Sequence, residues 1–214
     1  MKIHMNTGGL AATNAYLILD EPTKTAMLVD APKDTVEPLL QVIRAQDYAL
    51  PLFVLTHGHW DHLSDHDVVT KAFPDSRLLI HALDEPRLER PVSLLFELPY
   101  SIAPRKADAY LTDGQVLEVG AQRWEVLYTP GHAIGHVGLY NAEEAVLLAG
   151  DLLFQGSIGR TDLPDSNVTQ MKESLRRVMQ LPNETRVLSG HGPATTIGAE
   201  RAENDFIRMF GVGG

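Results

Sequence analysis

Over residues 1–31, short apolar and β-branched runs alternate with turn residues, the pattern of a β meander. The predicted strands are Lys2 to Asn6, Asn14 to Asp20 and Thr25 to Asp30, with Thr7-Gly8-Gly9 and Glu21-Pro22 between them. The period then changes. Val36, Leu39, Leu40 and Ile43 recur at i, i+3, i+4 and i+7, which predicts an amphipathic helix from Asp34 to Gln46 with Asp34 as its cap. The run Leu52-Phe53-Val54-Leu55, bounded by Pro51, predicts a buried strand over 52–56. Further helices are expected at 63–72, 83–89, 168–181 and 199–209, and strands at 77–81, 116–119, 123–128, 136–140, 145–149 and 186–189. Residues 90–107 hold Pro91, Pro99 and Pro104 and keep no period. Their apolar members Leu94, Leu95, Phe96, Leu98 and Tyr100 read as a satellite of the core in preference to a substrate lid or dimer contact. Strand-rich blocks with interspersed helices suggest two sheets flanked by helices. No linker or low-complexity segment splits 1–214, which is read as one domain.

The chemistry concentrates where the 52–56 strand ends. Thr56-His57-Gly58-His59-Trp60-Asp61-His62 places four metal-binding side chains within six residues. On an extended segment His57, His59 and Asp61 share one side, and His62 falls on the other or opens the next helix. Three more candidates each follow a predicted strand and sit beside glycine: His132 in Thr129-Pro130-Gly131-His132, Asp151 in Ala149-Gly150-Asp151, and His191 in Gly190-His191-Gly192. Five imidazoles and two carboxylates suit two cations sharing one carboxylate. A ligand set without sulfur fits Zn²⁺, and also Fe or Mn.

Composition narrows the alternatives. The 18 basic and 28 acidic residues give a net charge of −10, which argues against nucleic acid and anionic membrane as partners. The chain has no cysteine, so disulfides, thiolate catalysis and sulfur-ligated metals are excluded. Met1 to Asn6 lacks the apolar stretch of a signal peptide, and no apolar run is long enough to span a bilayer; a cytoplasmic protein is expected.

The motif T-H-x-H-x-D-H, followed by separate His, Asp and His residues, resembles the metallo-β-lactamase superfamily. Gly150-Asp151-Leu152-Leu153-Phe154-Gln155-Gly156-Ser157-Ile158-Gly159-Arg160-Thr161-Asp162-Leu163-Pro164 and Gly190-His191-Gly192-Pro193-Ala194-Thr195-Thr196 with Glu200-Arg201 look more narrowly like the short bacterial glyoxalase II, or hydroxyacylglutathione hydrolase, group. The similarity runs from about Asn14 to Asn204. It implies a four-layer αββα sandwich with the metal site at one edge of the sheets. It assigns His57, His59 and His132 to one metal, Asp61, His62 and His191 to a second, and Asp151 to both. Ser64-Asp65-His66 departs from the family, which usually carries glycine in that turn, and Ala133-Ile134 and Asn204-Asp205 are further departures. No counterpart of the C-terminal helical region of full-length glyoxalase II enzymes is expected from residues 1–214.

The expected activity is hydrolysis of a thioester such as S-lactoylglutathione by a metal-bound hydroxide, with two divalent metals per chain, most readily zinc. Asp61 both ligates and orients the nucleophile. Arg160 is the candidate for a substrate carboxylate, and Trp60 is the aromatic residue with the best claim to line the pocket. Arg160 and Asp162 could equally form a structural ion pair. His4 and His81 are read as structural, His66 as facing solvent, and His136 as supporting a ligand at most. Tyr140 and Phe154 are read as packing residues. The partner is a small-molecule thioester, and the chain a monomer or homodimer. The alternatives are a mononuclear iron persulfide dioxygenase of the same fold, against which His191 speaks, and a lactonase or other ester hydrolase. The acidic balance disfavours a nuclease.

Overall fold

Every residue from Thr13 to Asp20 is buried. Side chains alternate along a strand, so Ala15, Leu17 and Leu19 point to one face and Tyr16 and Ile18 to the other. A strand apolar on both faces needs cover on both, and the architecture follows from that need. The computed structural model describes residues 1–213.

The first sheet keeps chain order: β1 (Lys2–Gly8), β2 (Thr13–Asp20), β3 (Thr25–Val29), β4 (Ala49–Val54), β5 (Arg77–His81) and β6 (Ala109–Leu111). β1 to β3 pair antiparallel, and β3 to β6 pair parallel. Parallel neighbours need crossovers. These are α1 (Val36–Ala45), then α2 (Trp60–Leu63) with α3 (His66–Ala72), then a 3₁₀ turn, Ala82–Asp84, leading into α4 (Glu85–Glu89) and the strap 90–107. The second sheet contains β7 (Val116–Val119), β8 (Gln122–Tyr128), β9 (Val137–Asn141), β10 (Val146–Gly150), β13 (Arg186–Ser189) and β14 (Thr195–Thr196), in the spatial order β14-β13-β10-β9-β8-β7. A small hairpin, β11 (Leu153–Phe154) and β12 (Ser157–Ile158), follows β10. The helices α5 (Val168–Val178), α6 (Ile197–Glu203) and α7 (Asp205–Phe210) complete the chain.

Three apolar clusters define four layers. One lies between the sheets, where Tyr16, Ile18, Met27 and Val54 meet Trp124, Val126, Leu139 and Leu148. A second packs Leu17, Leu28 and Phe53 under Leu39, Leu40 and Ile43 of α1. The third packs Leu147 and Val187 under Met171 and Leu175 of α5, with Ile197 and Ile207. This is the expected αββα sandwich.

Strand direction decides where the site forms. β8 and β10 both run antiparallel to β9, and β13 runs parallel to β10. All three therefore end at the same edge, and His132, Asp151 and His191 follow those ends. In the first sheet, β3, β4 and β5 end together and deliver Asp30, the histidine loop and Asp84. The two edges are pinned to each other: the Asn14 N–H donates to the Gly190 carbonyl at 2.7 Å, and the Asn14 amide donates to the Ser189 carbonyl at 2.9 Å.

The boundaries differ from the sequence pattern at instructive places. The predicted 63–72 helix is two helices, broken at Ser64-Asp65. The predicted 199–209 helix is also two, because Asn204 turns extended and its side-chain oxygen accepts from the Phe206 and Ile207 N–H groups. Asp34 does not cap α1; it adopts a left-handed φ of 59°, and Thr35 precedes the helix without a side-chain bond to it, its hydroxyl donating instead to the Pro32 carbonyl at 2.6 Å. β6, β14 and the β11–β12 hairpin are too short to show a period.

Trp124 is fully buried between the sheets, its indole N–H donating to Gln122. Trp124→Ala should destabilise the fold by about 3–5 kcal/mol. Urea unfolding measures this, and a loss under about 1 kcal/mol would contradict the sandwich packing.

Candidate metal centre

The backbone stays extended only as far as His59, which precedes α2. Asp61 and His62 lie on that short helix. Asp61 therefore reaches the site from a helical turn rather than by strand alternation with His57 and His59. The helix begins as soon as the second histidine is placed, and this swings both of its own side chains inward.

All seven predicted side chains converge. Ligand atoms of His57, His59 and His132 lie within 4.8 Å of one another, as do those of Asp61, His62 and His191. Asp151 stands between the groups: its Oδ1 is 3.3 Å from His62 Nε2, and its Oδ2 is 3.5 Å from His132 Nε2 and 3.2 Å from His191 Nε2. His57 Nε2 and His59 Nδ1 are 3.0 Å apart, somewhat closer than the roughly 3.3–3.4 Å between two nitrogens bound at about 2.0–2.1 Å to one tetrahedral cation.

Hydrogen bonding aims the ring nitrogens. The Thr56 hydroxyl donates to Asp30 at 2.9 Å, so at its 3.1 Å contact with His57 Nδ1 it accepts. His57 Nε2 is thus left bare. His132 Nδ1 donates to the Arg160 carbonyl at 3.0 Å and His191 Nδ1 to the Ala11 carbonyl at 3.1 Å. His62 Nδ1 donates to Asp30 at 2.8 Å. In each ring the outer N–H fixes the tautomer and presents Nε2 inward, the usual support of a metal-binding imidazole. The inward atoms His62 Nε2, His132 Nε2 and Asp151 Oδ1 are buried and make no hydrogen bond. Leaving such groups unpaired costs about 1–3 kcal/mol each; divalent metal bound there would satisfy them.

Three residues without a sequence signal complete the frame. Asp30 holds Thr56 and His62 together, as described. Asp84 is fully buried, and its two carboxylate oxygens accept from the Gly58 N–H at 2.7 Å and the Gly135 N–H at 2.8 Å. It therefore ties the loop of His57 and His59 to that of His132. The Thr13 hydroxyl donates to Asp61 Oδ2 at 2.8 Å. His136, expected as a support, accepts the Asp151 N–H on Nε2 at 2.9 Å. At Gly190 a Cβ would fall 2.1 Å from Asp151 Oδ1, so only glycine lets the last loop approach.

The electrostatics separate the two groups. Burial pushes His57 and His59 well below the ordinary imidazole value, and neighbouring imidazoles add to the effect. Burial opposes protonation of His62 too, but Asp151, Asp30 and Asp61 overcome it and hold that imidazole well above its ordinary value. His191 is likewise raised to about 9, its burial outweighed by Asp151 and Asp61. Burial would raise Asp61, but His62 and His191 bring it down to about 2. Burial pushes Asp84 up to about 6 against its two N–H bonds.

A model of the metallo-β-lactamase superfamily matches residues 8–191. The chain belongs to this superfamily. Hydroxyacylglutathione hydrolase GloC of Haemophilus influenzae is 34% identical over 209 residues, covering 91% of this chain and 92% of its own. Among solved structures, the B3 metallo-β-lactamase BLEG-1 superposes with a TM-score of 0.88 at 36% identity, covering 96% of this chain and 99% of its own. TTHA1623, solved in a di-iron-bound form, gives a TM-score of 0.76 at 35% identity, with 95% and 99% covered. This member is a metallohydrolase whose His/Asp cluster fits a divalent metal cofactor.

A cleft of about 450 Å³ opens over the cluster. Trp60 and Arg160 line it. Arg160 also forms the ion pair with Asp162, at 2.7 Å. Phe154, read as packing, also lines the cleft, its ring 5.9 Å from that of His191. The strap divides. Leu98, Tyr100 and Ile102 pack on the core, whereas Leu94, Leu95 and Phe96 line the cleft, contrary to the satellite reading. His66 faces neither the cleft nor solvent; it is buried, with Nε2 donating to the Ala103 carbonyl at 2.7 Å. His81 stacks on Tyr128 with ring centroids 4.6 Å apart. Among the described residues no helix is long and apolar enough to cross a membrane.

Imidazole binds a cation through a lone pair, so loading must expel the protons of His62 and His191. Calorimetric titration with a divalent cation at neutral pH should show buffer-dependent heats. The released protons should diminish as the pH rises through about 9, where His191 loses its own unaided. Buffer-independent heats would contradict the charge state of this group. Asp84→Asn turns an amide NH₂ toward one of two backbone N–H groups. It should destabilise the protein by about 1–3 kcal/mol in chemical denaturation and weaken metal binding.

Proposed function

We propose that the protein is a dinuclear, glyoxalase II-like hydrolase that cleaves thioesters of the S-lactoylglutathione type, with zinc as its expected metal. The observation that carries this reading is the position of Asp151, whose Oδ2 lies 3.5 Å from His132 Nε2 of the first group and 3.2 Å from His191 Nε2 of the second, while its Oδ1 lies 3.3 Å from His62 Nε2. His57, His59 and His132 would hold one cation and Asp61, His62 and His191 the other, with Asp151 between them. Bound there, divalent cations lower the pKa of water toward neutrality and polarise a carbonyl.

The chain's own groups do the rest. Water oxygen bonds to the acyl carbon, the C–S bond breaks with its electron pair on sulfur, and the products are a carboxylate and a thiol. A thiolate leaves without a strong acid, its pKa being roughly 8.5. Asp61, kept ionised by His62 and His191, accepts from the Thr13 hydroxyl on one oxygen and can orient the attacking water. Arg160 sits at the cleft wall with its guanidinium half-exposed. Its pair with the more exposed Asp162 is screened by solvent and worth little, so a substrate carboxylate can replace that partner. The 34% identity with GloC supports the thioester, and the ring of His191 speaks against a mononuclear iron dioxygenase. The resemblance to BLEG-1 makes a lactone or β-lactam the second reading.

Purified protein should contain about two divalent cations per chain and release thiol from S-lactoylglutathione faster than it opens lactones or β-lactams. Chelation should abolish the activity and zinc restore it. Asp61→Asn should lower kcat by about a hundredfold. Full activity without metal, or no turnover of any thioester, sinks the reading.

A further inference from the structure

The wall of the cleft is more apolar than a short, hydroxylated lactoyl group requires. Val92, Leu94, Leu95, Phe96 and Leu10 are large, exposed apolar residues, and all five line the same cleft as His59, Asp61, Asp151 and His191. Scattered exposed hydrophobes are ordinary, but several converging beside a reactive centre mark a binding surface. The edge of Phe96 meets Trp60 with ring centroids 5.5 Å apart, which joins the strap to the ligand loop itself.

The strap is held in this exposed position from behind. Its second half is anchored: Ile102 is buried in the core, Tyr100 meets the Ser64 hydroxyl at 3.3 Å, and the Ala103 carbonyl accepts from His66 at 2.7 Å. The apolar first half could have packed beside it. Instead it leaves side chains such as Leu95, 58% exposed, in solvent over the metal centre. The polar side chains in the cleft wall beyond the ligands are few. Arg160 and Arg87 each carry an aspartate partner, and Ser157 is the remaining one. A substrate matched to such a cleft is amphiphilic, polar toward Arg160 and apolar toward the strap.

We infer that the acyl group of the substrate is apolar and longer than lactoyl, and that Leu94, Leu95 and Phe96 select it. The inference rests on the hydrolase reading above for the bond that is cut, though not for the apolar arm that is bound.

Two series on the metal-loaded protein test it. The first is hydrolysis of glutathione thioesters carrying lactoyl, acetyl, butyryl, hexanoyl and octanoyl groups. The second is titration of tryptophan fluorescence with butanoate, hexanoate and octanoate, for which Trp60 is the reporter because Trp124 is sealed between the sheets. We expect kcat/KM and carboxylate affinity each to rise by about three- to fourfold per added methylene until the cleft is filled. Phe96→Ala and Leu94→Ala should lower the octanoyl-to-lactoyl ratio of kcat/KM by about fivefold or more, with unchanged circular dichroism. Flat profiles in both series overturn the inference. So does a flat profile accompanied by loss of self-association in Phe96→Ala by light scattering, which would make the wall an interface between copies. If no thioester is cleaved, the hydrolase reading falls, and the carboxylate series alone decides: a steep series keeps the apolar arm, a flat one removes it.

Discussion

Five imidazoles and two carboxylates share one buried space, and their inward atoms have almost nothing to bond to except each other. That constraint shapes the rest of the molecule. Burial drives His57 and His59 toward neutrality while three carboxylates drive His62 the other way. Without cations, protons on His62 and His191 stand where positive charge is needed. With cations, the same side chains are ligands and the unpaired nitrogens are satisfied. The cluster is therefore costly to hold empty and favourable to fill, so the surrounding structure must be rigid enough to keep it from collapsing.

The rigidity comes from strand direction and from a few buried acids. Strands β8, β10 and β13 end at one edge because β9 reverses the chain between two of them. The other sheet's parallel half ends at the facing edge. Backbone bonds from Asn14 to Gly190 then lock the edges in register. Asp30 and Asp84 work at a finer scale. Each accepts two or more hydrogen bonds from loops that carry ligands, so displacing one loop strains another.

What the sequence makes legible follows from how local each signal is. His57, His59, Asp61 and His62 stand out because they fall within six residues. His132, Asp151 and His191 are visible because each follows a strand and sits beside glycine. Asp30 and Asp84 carry no such mark: each is one aspartate in an acidic chain, and its role exists only once distant loops are brought together. The helix breaks at Ser64-Asp65 and Asn204 are invisible for a related reason. The helical pattern continues through them, and the interruption is imposed by tertiary bonds, such as the Asp65 carboxylate accepting from Lys33 and from the Asp34 N–H.

Ser64-Asp65-His66, where the chain leaves its family's pattern, does not touch the metal ligands from outside as a second layer. Asp65 fixes the loop that follows β3, while Ser64 and His66 fasten the strap through Tyr100 and Ala103. The departure thus bears on how the strap is hung over the cleft, and leaves the ligand geometry to Asp30, Asp84 and the strand ends. The two jobs are separable in the chain. One set of buried bonds positions the His/Asp cluster, and another positions the apolar wall that faces it.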